Sequence, residues 1–408
     1  MKRDVLYSDG TIEDNIIQYL TVHEGDSSHI ISELPEGSVF HNFSAARKNL
    51  ISWYPFTKKD SVLEIGAGMG SLTEELAPKC QEVVAIEPSP KRAQIISLRC
   101  QAHKNVRVVT QGLDQYEDET KYDYVLLIGV LEYAGITMSC DDPWLQMLTL
   151  AKRHLKETGK ILVAIENKFG LKYWCGAAED HTGIPFDSIN DYQKSEGETV
   201  RYQQSAGVRT FSQAELTHLF HAAGLHAQKY YYPLPDYKFP MLILSDQSKD
   251  AGLIGDVKFN YPEESLLVAD QQAIYPEVMD NHCFGFFANS FFAEVGTEES
   301  KREDDIETVM IKRDYLPRYR IITILKSDRV IRKACTVDGE EHLRELVQNT
   351  KLLIERGIPC VPQSDILDGM TQAQRIAAPR ADDVFEQALK NRDAQLVFHM
   401  LEKLRGYL

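Results

Sequence analysis

The stretch Val62-Leu63-Glu64-Ile65-Gly66-Ala67-Gly68-Met69-Gly70-Ser71 constrains this chain more than any other. An apolar run of strand character breaks into glycines at alternate positions, and a helical run from Leu72 to Ala77 follows. Glycine is needed where the backbone takes φ > 0 or must come close to a ligand, and a helix start supplies unpaired N–H groups. Such turns hold nucleotide-like ligands at the carboxyl edge of a parallel sheet. Ser71 stands where a dinucleotide fold would want its last glycine, and Glu64 precedes the first one by two residues. Glu87 closes the next apolar run, Val83–Ile86. It comes at about the distance expected of an acid that accepts from ribose hydroxyls. A tight turn without a ligand would leave Glu87 unexplained.

The elements that follow alternate. Strands are expected at Ser61–Ile65, Glu82–Glu87, Val106–Thr110, Tyr124–Gly129 and Lys160–Glu166, the fourth apolar on both faces as a central parallel strand should be. A helix over Asn42–Trp53 leads in. Ser89-Pro90 and Asp142-Pro143 each pair a capping residue with a proline at N1, opening helices at Lys91–Cys100 and Trp144–Leu155. Ser212 and Glu215 form a capping-box pattern for a helix that stops near Gly224. Two last strands, His226–Tyr232 and Pro240–Leu244, read as an antiparallel hairpin closing a domain of residues 1–245, with its core at 40–245. The fold class is α/β, with a Rossmann-like, mostly parallel sheet and a terminal antiparallel hairpin. Between the fifth strand and the capping box lies an insertion at 167–210, long enough to be functional and placed on the ligand-binding edge.

At 408 residues the chain exceeds what one core usually supports, so two domains are expected. A formal net charge of −16 disfavours a nucleic-acid partner, because phosphate backbones attract basic surfaces. The start has no apolar signal core and no run reaches membrane-spanning length, which points to a cytoplasmic protein. Seven scattered cysteines without a Cys-x-x-Cys pair read as reduced thiols, and no metal is expected.

Strand, Glu-x-Gly-x-Gly-x-Gly turn, helix, strand and acid together resemble the cofactor site of class I S-adenosylmethionine-dependent methyltransferases. The resemblance implies that backbone at Gly66, Gly68 and Gly70 lets the cofactor come close. Glu64 would orient the turn or meet the cationic amino acid end, and Glu87 would bind the ribose diol. Leu113 and Asp114 would hold the adenine, and Ile128 and Gly129 would line the methionine side. On the acceptor side, a hydroxyl is a poor nucleophile and a placed base contributes about 10²–10⁴ in rate. His181 has the intrinsic pKa for that task, with Asp180 to polarise it. The alternative is that Asp180-His181-Thr182-Gly183 only fixes a turn. Glu166 and Asn167 leave the fifth strand toward the same edge. With Tyr173 of the insertion and Asp236 and Tyr237 of the hairpin tip, they are the candidates for binding the acceptor.

The segments VLEIGAGMGSLT, AIENKFGLKYW, EDHTG and YYYPLPDYKFP resemble, over about residues 40–245, methyltransferase domains encoded with bacterial cell-surface glycan biosynthesis enzymes. That resemblance implies a glycan or glycosyl-lipid acceptor methylated on a sugar hydroxyl or a terminal phosphate, glycan-assembly partners and a peripheral site at the inner membrane face. A small-metabolite methyltransferase and a non-enzymatic scaffold remain open beside it.

Residues 246–300 read as an aromatic-rich junction, and 301–408 as a smaller α+β domain. Strands at Arg320–Lys326, Val330–Cys335, Ser364–Leu367 and Arg375–Ala378 surround a helix Glu340–Arg356, with helices Asp382–Lys390 and Asp393–Tyr407 at the end. Leu343, Leu346, Val347, Thr350, Leu353 and Ile354 are its expected buried face. Lys333 on a strand and Glu341 or Glu345 on the helix resemble the small lobe of a protein-kinase-like fold, as in O-antigen chain-capping methyltransferase–kinase fusions. Ala288-Asn289-Ser290-Phe291 is a poor glycine-loop substitute, and no His-x-Asp or Asp-Phe-Gly follows. The lobe is therefore expected to serve as an interaction module or to be part of a longer chain.

Overall fold

The computed structural model describes residues 9–192, 207–248, 251–259, 261, 265–297, 305–311, 319–357, 360–375, 391, 393–398 and 401. It forms two compact units, Met1–Arg313 and Asp314–Leu408.

The first unit is built on strands β1 (Ser61–Ile65), β2 (Glu82–Ile86), β3 (Val106–Val109), β4 (Tyr122–Ile128), β5 (Leu155–Glu166), β6 (Ala227–Leu234), β7 (Leu242–Ser245), β8 (Ser290–Gly296) and β9 (Ile306–Ile311). Their order is β9-β7-β6-β8-β5-β4-β1-β2-β3. From β3 to β5 every pairing is parallel. β1, β2 and β4 are almost wholly buried, as strands covered on both faces must be. Helix Pro143–Arg153 starts on an Asp142 carboxylate that accepts from Leu145 N–H at 3.1 Å. Helix Gln213–Ala222 starts on the full capping box of Ser212 and Glu215.

The expected domain edge at 245 falls inside the sheet. β8, from the supposed junction, pairs antiparallel with both β5 and β6 and separates the closing hairpin from the parallel strands. Its aromatic side chains explain the position. Phe291 packs on Tyr230 and Tyr232, and Phe292 on Trp53, Tyr54 and Tyr231, one ring toward each face. Phe291 and Phe292, expected in a connector, lie inside the sheet. β6 and β7 do form the antiparallel hairpin.

The single helix expected over Asn42–Trp53 is instead broken. A helix Gly37–Phe43 stops, Ser44 takes extended backbone and accepts from Ala46 N–H, and a 3₁₀ turn Ala45–Lys48 restarts into Asn49–Ser52. The break leaves Asn42 and Arg47 facing the carboxyl edge of the sheet.

The second unit is a meander of β10 (Ile321–Lys326), β11 (Arg329–Ala334) and β12 (Met370–Gln374) beside a helix Val337–Glu355. Thr336 caps that helix through Gly339 N–H at 3.0 Å. Leu343 and Val347 are buried, while Leu353 and Ile354 of the expected face are exposed. Strand β12 lies at Met370–Gln374, ahead of the expected Arg375–Ala378, of which 376–378 lie outside the described residues, as does the helix expected at Asp382–Lys390. The expected strand Ser364–Leu367 is reduced to isolated bridges at Gln363 and Leu367. Among the described residues, no helix is long and apolar enough to cross a membrane.

Candidate active site

The carboxyl ends of β1, β2 and β4 and the loop after β3 open on a cavity of about 710 Å³. At one end the glycine turn forms the wall. Gly66, Gly68 and Gly70 all have positive φ, at 67°, 58° and 79°. A Cβ on Gly66 would lie 2.8 Å from Val130, whereas one on Gly68 would meet nothing within 4 Å. Gly66 is therefore needed for packing and Gly68 for conformation beside open space. Gly70 is not among the residues lining the cavity; it closes against Ile96 behind the turn.

Both acids of the motif are buried and held. Glu87 accepts Gly68 N–H through Oε2 and Ser89 N–H through Oε1, each at 2.9 Å. Burial raises its carboxyl above the usual range. Glu64 accepts the Thr73 hydroxyl at 2.6 Å, and burial pushes it up to about 7. Leu113, Asp114, Ile128 and Gly129 line the same cavity, so the residues expected around a cofactor, Gly70 apart, are brought together.

The other end is assembled from segments far apart in sequence: Tyr133 after β4, Asp180 and His181 of the insertion, and Tyr237 and Lys238 of the hairpin tip. Arg47, His41 and Asn42 come from the N-terminal segment, where no sequence motif marks a site. Tyr237 lies over Gly129, where a Cβ would sit 2.8 Å from its hydroxyl, and donates to Glu132 Oε1 at 3.3 Å.

Asp180 does not polarise His181. Its Oδ2 holds Lys172 Nζ at 2.8 Å and Lys238 Nζ at 2.7 Å. Burial alone would raise the Asp180 carboxyl, but the two ammonium groups hold it well below the usual range. The partner of His181 is Glu179, whose Oε1 lies 3.0 Å from Nδ1. Glu179 Oε2 also accepts the His181 and Thr182 N–H groups at 2.7 Å, with Gly183 at φ 68° closing the turn. The segment is thus a fixed turn and also presents His181 to the cavity. Burial would depress the imidazole, but Glu179, then Glu166 and Glu132, raise it to about 9.

Of the expected acceptor residues, Glu166 is fully buried and ion-paired with Lys238. Asn167, Tyr173 and Asp236, like Glu166, are not among those lining the cavity; of the expected acceptor residues only Tyr237 is. Asn167 donates to the carbonyls of Phe286 and Ala288 at 2.8 and 2.7 Å, tying β5 to the segment that enters β8. Tyr173 is fully buried, and Asp236 accepts Lys238 N–H at 2.8 Å within the hairpin tip. Chain connectivity explains Asn167. The carboxyl end of β5 is covered by the approach to β8, which the sequence reading had left outside the domain.

Comparisons with known proteins bear on this cavity. Residues 39–229 match the family model described as a methyltransferase domain, under half of the chain. That segment is similar to methyltransferase domains, and its sheet has the α/β class expected of one. Ribosomal RNA small subunit methyltransferase A of Ligilactobacillus salivarius is 33% identical over 66 residues, covering 16% of this chain and 22% of the relative. Nodulation protein S of Rhizobium tropici is 29% identical over 75 residues, 18% of this chain and 32% of the relative. The chain therefore matches less than a third of the length of either. Among solved structures, a possible histamine N-methyltransferase from Thermotoga maritima is 16% identical, covering 69% of this chain and 100% of that one at a TM-score of 0.38. N-methyltransferase NodS of Bradyrhizobium japonicum, in complex with S-adenosyl-L-homocysteine, is 17% identical over 38% of this chain and 74% of that one, TM-score 0.27.

Proposed function

We propose that this chain transfers a methyl group from S-adenosylmethionine to a hydroxyl of a cell-surface glycan precursor. The observation that carries the reading is one continuous cavity with Gly68, Glu87 and Asp114 at one end and His181, Asp180 and Lys238 at the other. The cofactor would lie along the glycine turn, with its ribose on Glu87 and its adenine beside Asp114. Its methyl group would point toward the His181 end, where the acceptor hydroxyl gives up its proton to the cluster around His181. Transfer breaks the carbon–sulfur bond and leaves S-adenosylhomocysteine.

The glycan acceptor is supported by the four motif segments quoted above, and His181 and Lys238 of two of them line the cavity. Partners in glycan assembly and a peripheral position at the inner membrane face belong to the same reading. Calorimetry with S-adenosylhomocysteine, followed by labelled-methyl transfer to oligosaccharide and small-metabolite acceptors, tests it. No binding of S-adenosylhomocysteine would remove the enzyme reading and leave a scaffold. Labelling confined to small metabolites would remove the glycan.

A further inference from the structure

We propose that Glu132, Glu166 and His181 hold a divalent cation in the wall of the acceptor end of the cavity, which His181 lines while the two buried carboxylates stand behind it. One ligand atom of each lies within 4.8 Å of the others. Glu132 sits on the 3₁₀ turn Leu131–Tyr133 that leaves β4, and Glu166 ends β5, so adjacent parallel strands deliver the two carboxylates to one edge. His181 arrives from the insertion, its ring fixed edge-on to Tyr133 and its Nδ1 by Glu179. An acid behind an imidazole is the arrangement that orients a histidine ligand toward a metal through its other nitrogen.

Two observations point past a mere cluster of acids. Glu132 is 0% exposed, and its Oε2 has no hydrogen-bond partner among the described residues. Glu166 is also 0% exposed; Lys238 lies on its Oε1, and its Oε2 has no hydrogen-bond partner among the described residues. Buried carboxylate oxygens left this way are costly unless a cation or proton meets them. The charge balance agrees. Glu132, Glu166, Glu179 and Asp180 carry four formal negative charges, against two on Lys172 and Lys238. A divalent ion makes up that difference when it takes the place of the proton on the His181 imidazole. Metal–oxygen bonds of about 2.1 Å place neighbouring ligand atoms about 3 Å apart, so the ion would draw the three groups inward. Two carboxylates with one imidazole suit Mn²⁺.

This inference rests on the methyltransferase reading for its consequence. A cation here lowers the pKa of an acceptor hydroxyl bound to it. The hydroxyl proton leaves to water in the cavity, the oxygen attacks the methyl carbon, and the carbon–sulfur bond breaks. His181 then serves as a ligand that neutralises nothing itself.

The test uses the full chain stripped of metal, titrated with Mn²⁺ and read by the spin-resonance signal of the free ion. One saturable site per chain is expected, weakened about tenfold or more in Glu132→Gln and in His181→Ala. S-adenosylhomocysteine binding, measured alongside, reports whether each variant is folded. A further readout needs no variant: Mn²⁺ should slow modification of His181 by diethylpyrocarbonate in the unaltered protein. No saturable Mn²⁺ site, undiminished binding in either folded variant, or no protection of His181 overturns the proposal. Failure of the unaltered protein to bind S-adenosylhomocysteine would instead overturn the methyltransferase reading, whatever Mn²⁺ does.

Discussion

The two ends of the cavity are built by different means. At the glycine-turn end, the acids satisfy backbone and hydroxyl groups within one βαβ stretch: Glu87 holds Gly68 and Ser89, and Glu64 holds Thr73. At the His181 end, charges from four separated segments answer one another, with Asp180 between Lys172 and Lys238, and Glu166 under Lys238. The first end is preorganised by local sequence and the second by tertiary assembly. A mutation at the first end should act on cofactor affinity, and one at the second on turnover.

The largest effect is expected at the second end. His181→Ala should lower turnover by about 10²–10⁴ while leaving S-adenosylhomocysteine affinity nearly unchanged, since the imidazole, whether as base or as cation ligand, stands at the acceptor end and not against the cofactor. Single-turnover rates and calorimetry on the same protein check the split. Wild-type turnover would reduce the Glu179-fixed segment to a turn and collapse the contrast between the ends.

Glu87→Ala probes the first end. It removes the acceptor of Gly68 N–H as well as the carboxylate assigned to the ribose diol. Loss of a buried hydrogen bond to a charged group is worth about 1.5–3 kcal/mol, so S-adenosylhomocysteine should bind about ten- to a hundredfold more weakly. Once cofactor is saturating, turnover should recover. Undiminished affinity would mean that the ribose lies elsewhere.

That difference between the ends also decided what could be read from the sequence. The glycine turn, Glu64, Glu87 and the parallel strands announce themselves because their spacing is local. Asp180 is the acid next to His181 in sequence, but the turn geometry selects Glu179, one residue further back, as its partner. Asn167 and Asp236 looked like binding residues because they stand next to strand ends, but their side chains serve backbone around β8 and within the hairpin tip. Nothing local marks Ser290–Gly296 as a central strand, since its partners are more than a hundred residues away on β5 and about sixty away on β6. The lysine that links Glu166 to Asp180 was in view as part of YYYPLPDYKFP, yet its role exists only after the sheet closes.

Glu64 offers a pH test of the cofactor end. Burial raises its carboxyl to about 7 from an ordinary value of 4.5. Between those values the folded chain holds more protons than the unfolded one, so Glu64 contributes stability at low pH that is lost as pH rises toward 7. A ligand whose ammonium meets the ionised carboxylate binds against that proton. Affinity for S-adenosylhomocysteine should therefore rise about tenfold between about pH 6 and pH 8, with proton release visible in buffers of different ionisation enthalpy. Glu64→Gln should flatten the rise. A flat profile in the unaltered chain would mean that Glu64 only braces Thr73.

The smallest effect is expected away from the cavity, at Lys333. It lies on β11, opposite Ile322 of β10 and Met370 of β12, in the unit that begins at Asp314. The sequence invites a nucleotide role because a strand lysine and the helix acids Glu341 and Glu345 resemble half of a kinase-like site. Helix Val337–Glu355 presents both acids to solvent, and Glu345 lies beside His342, at 3.6 Å. Phosphoryl transfer also needs a group to orient the nucleophile and ligands for magnesium. Neither the His-x-Asp nor the Asp-Phe-Gly signature occurs in the 408 residues. Lys333→Ala should thus leave methyl transfer unchanged and stability within about 0.5 kcal/mol, the range of an ordinary surface substitution. Incubation with labelled ATP and magnesium should give no phosphorylated glycan above background. Phosphorylation that depends on Lys333 would give this chain a second active site, and the contrast drawn between two ends of one cavity would no longer describe its chemistry.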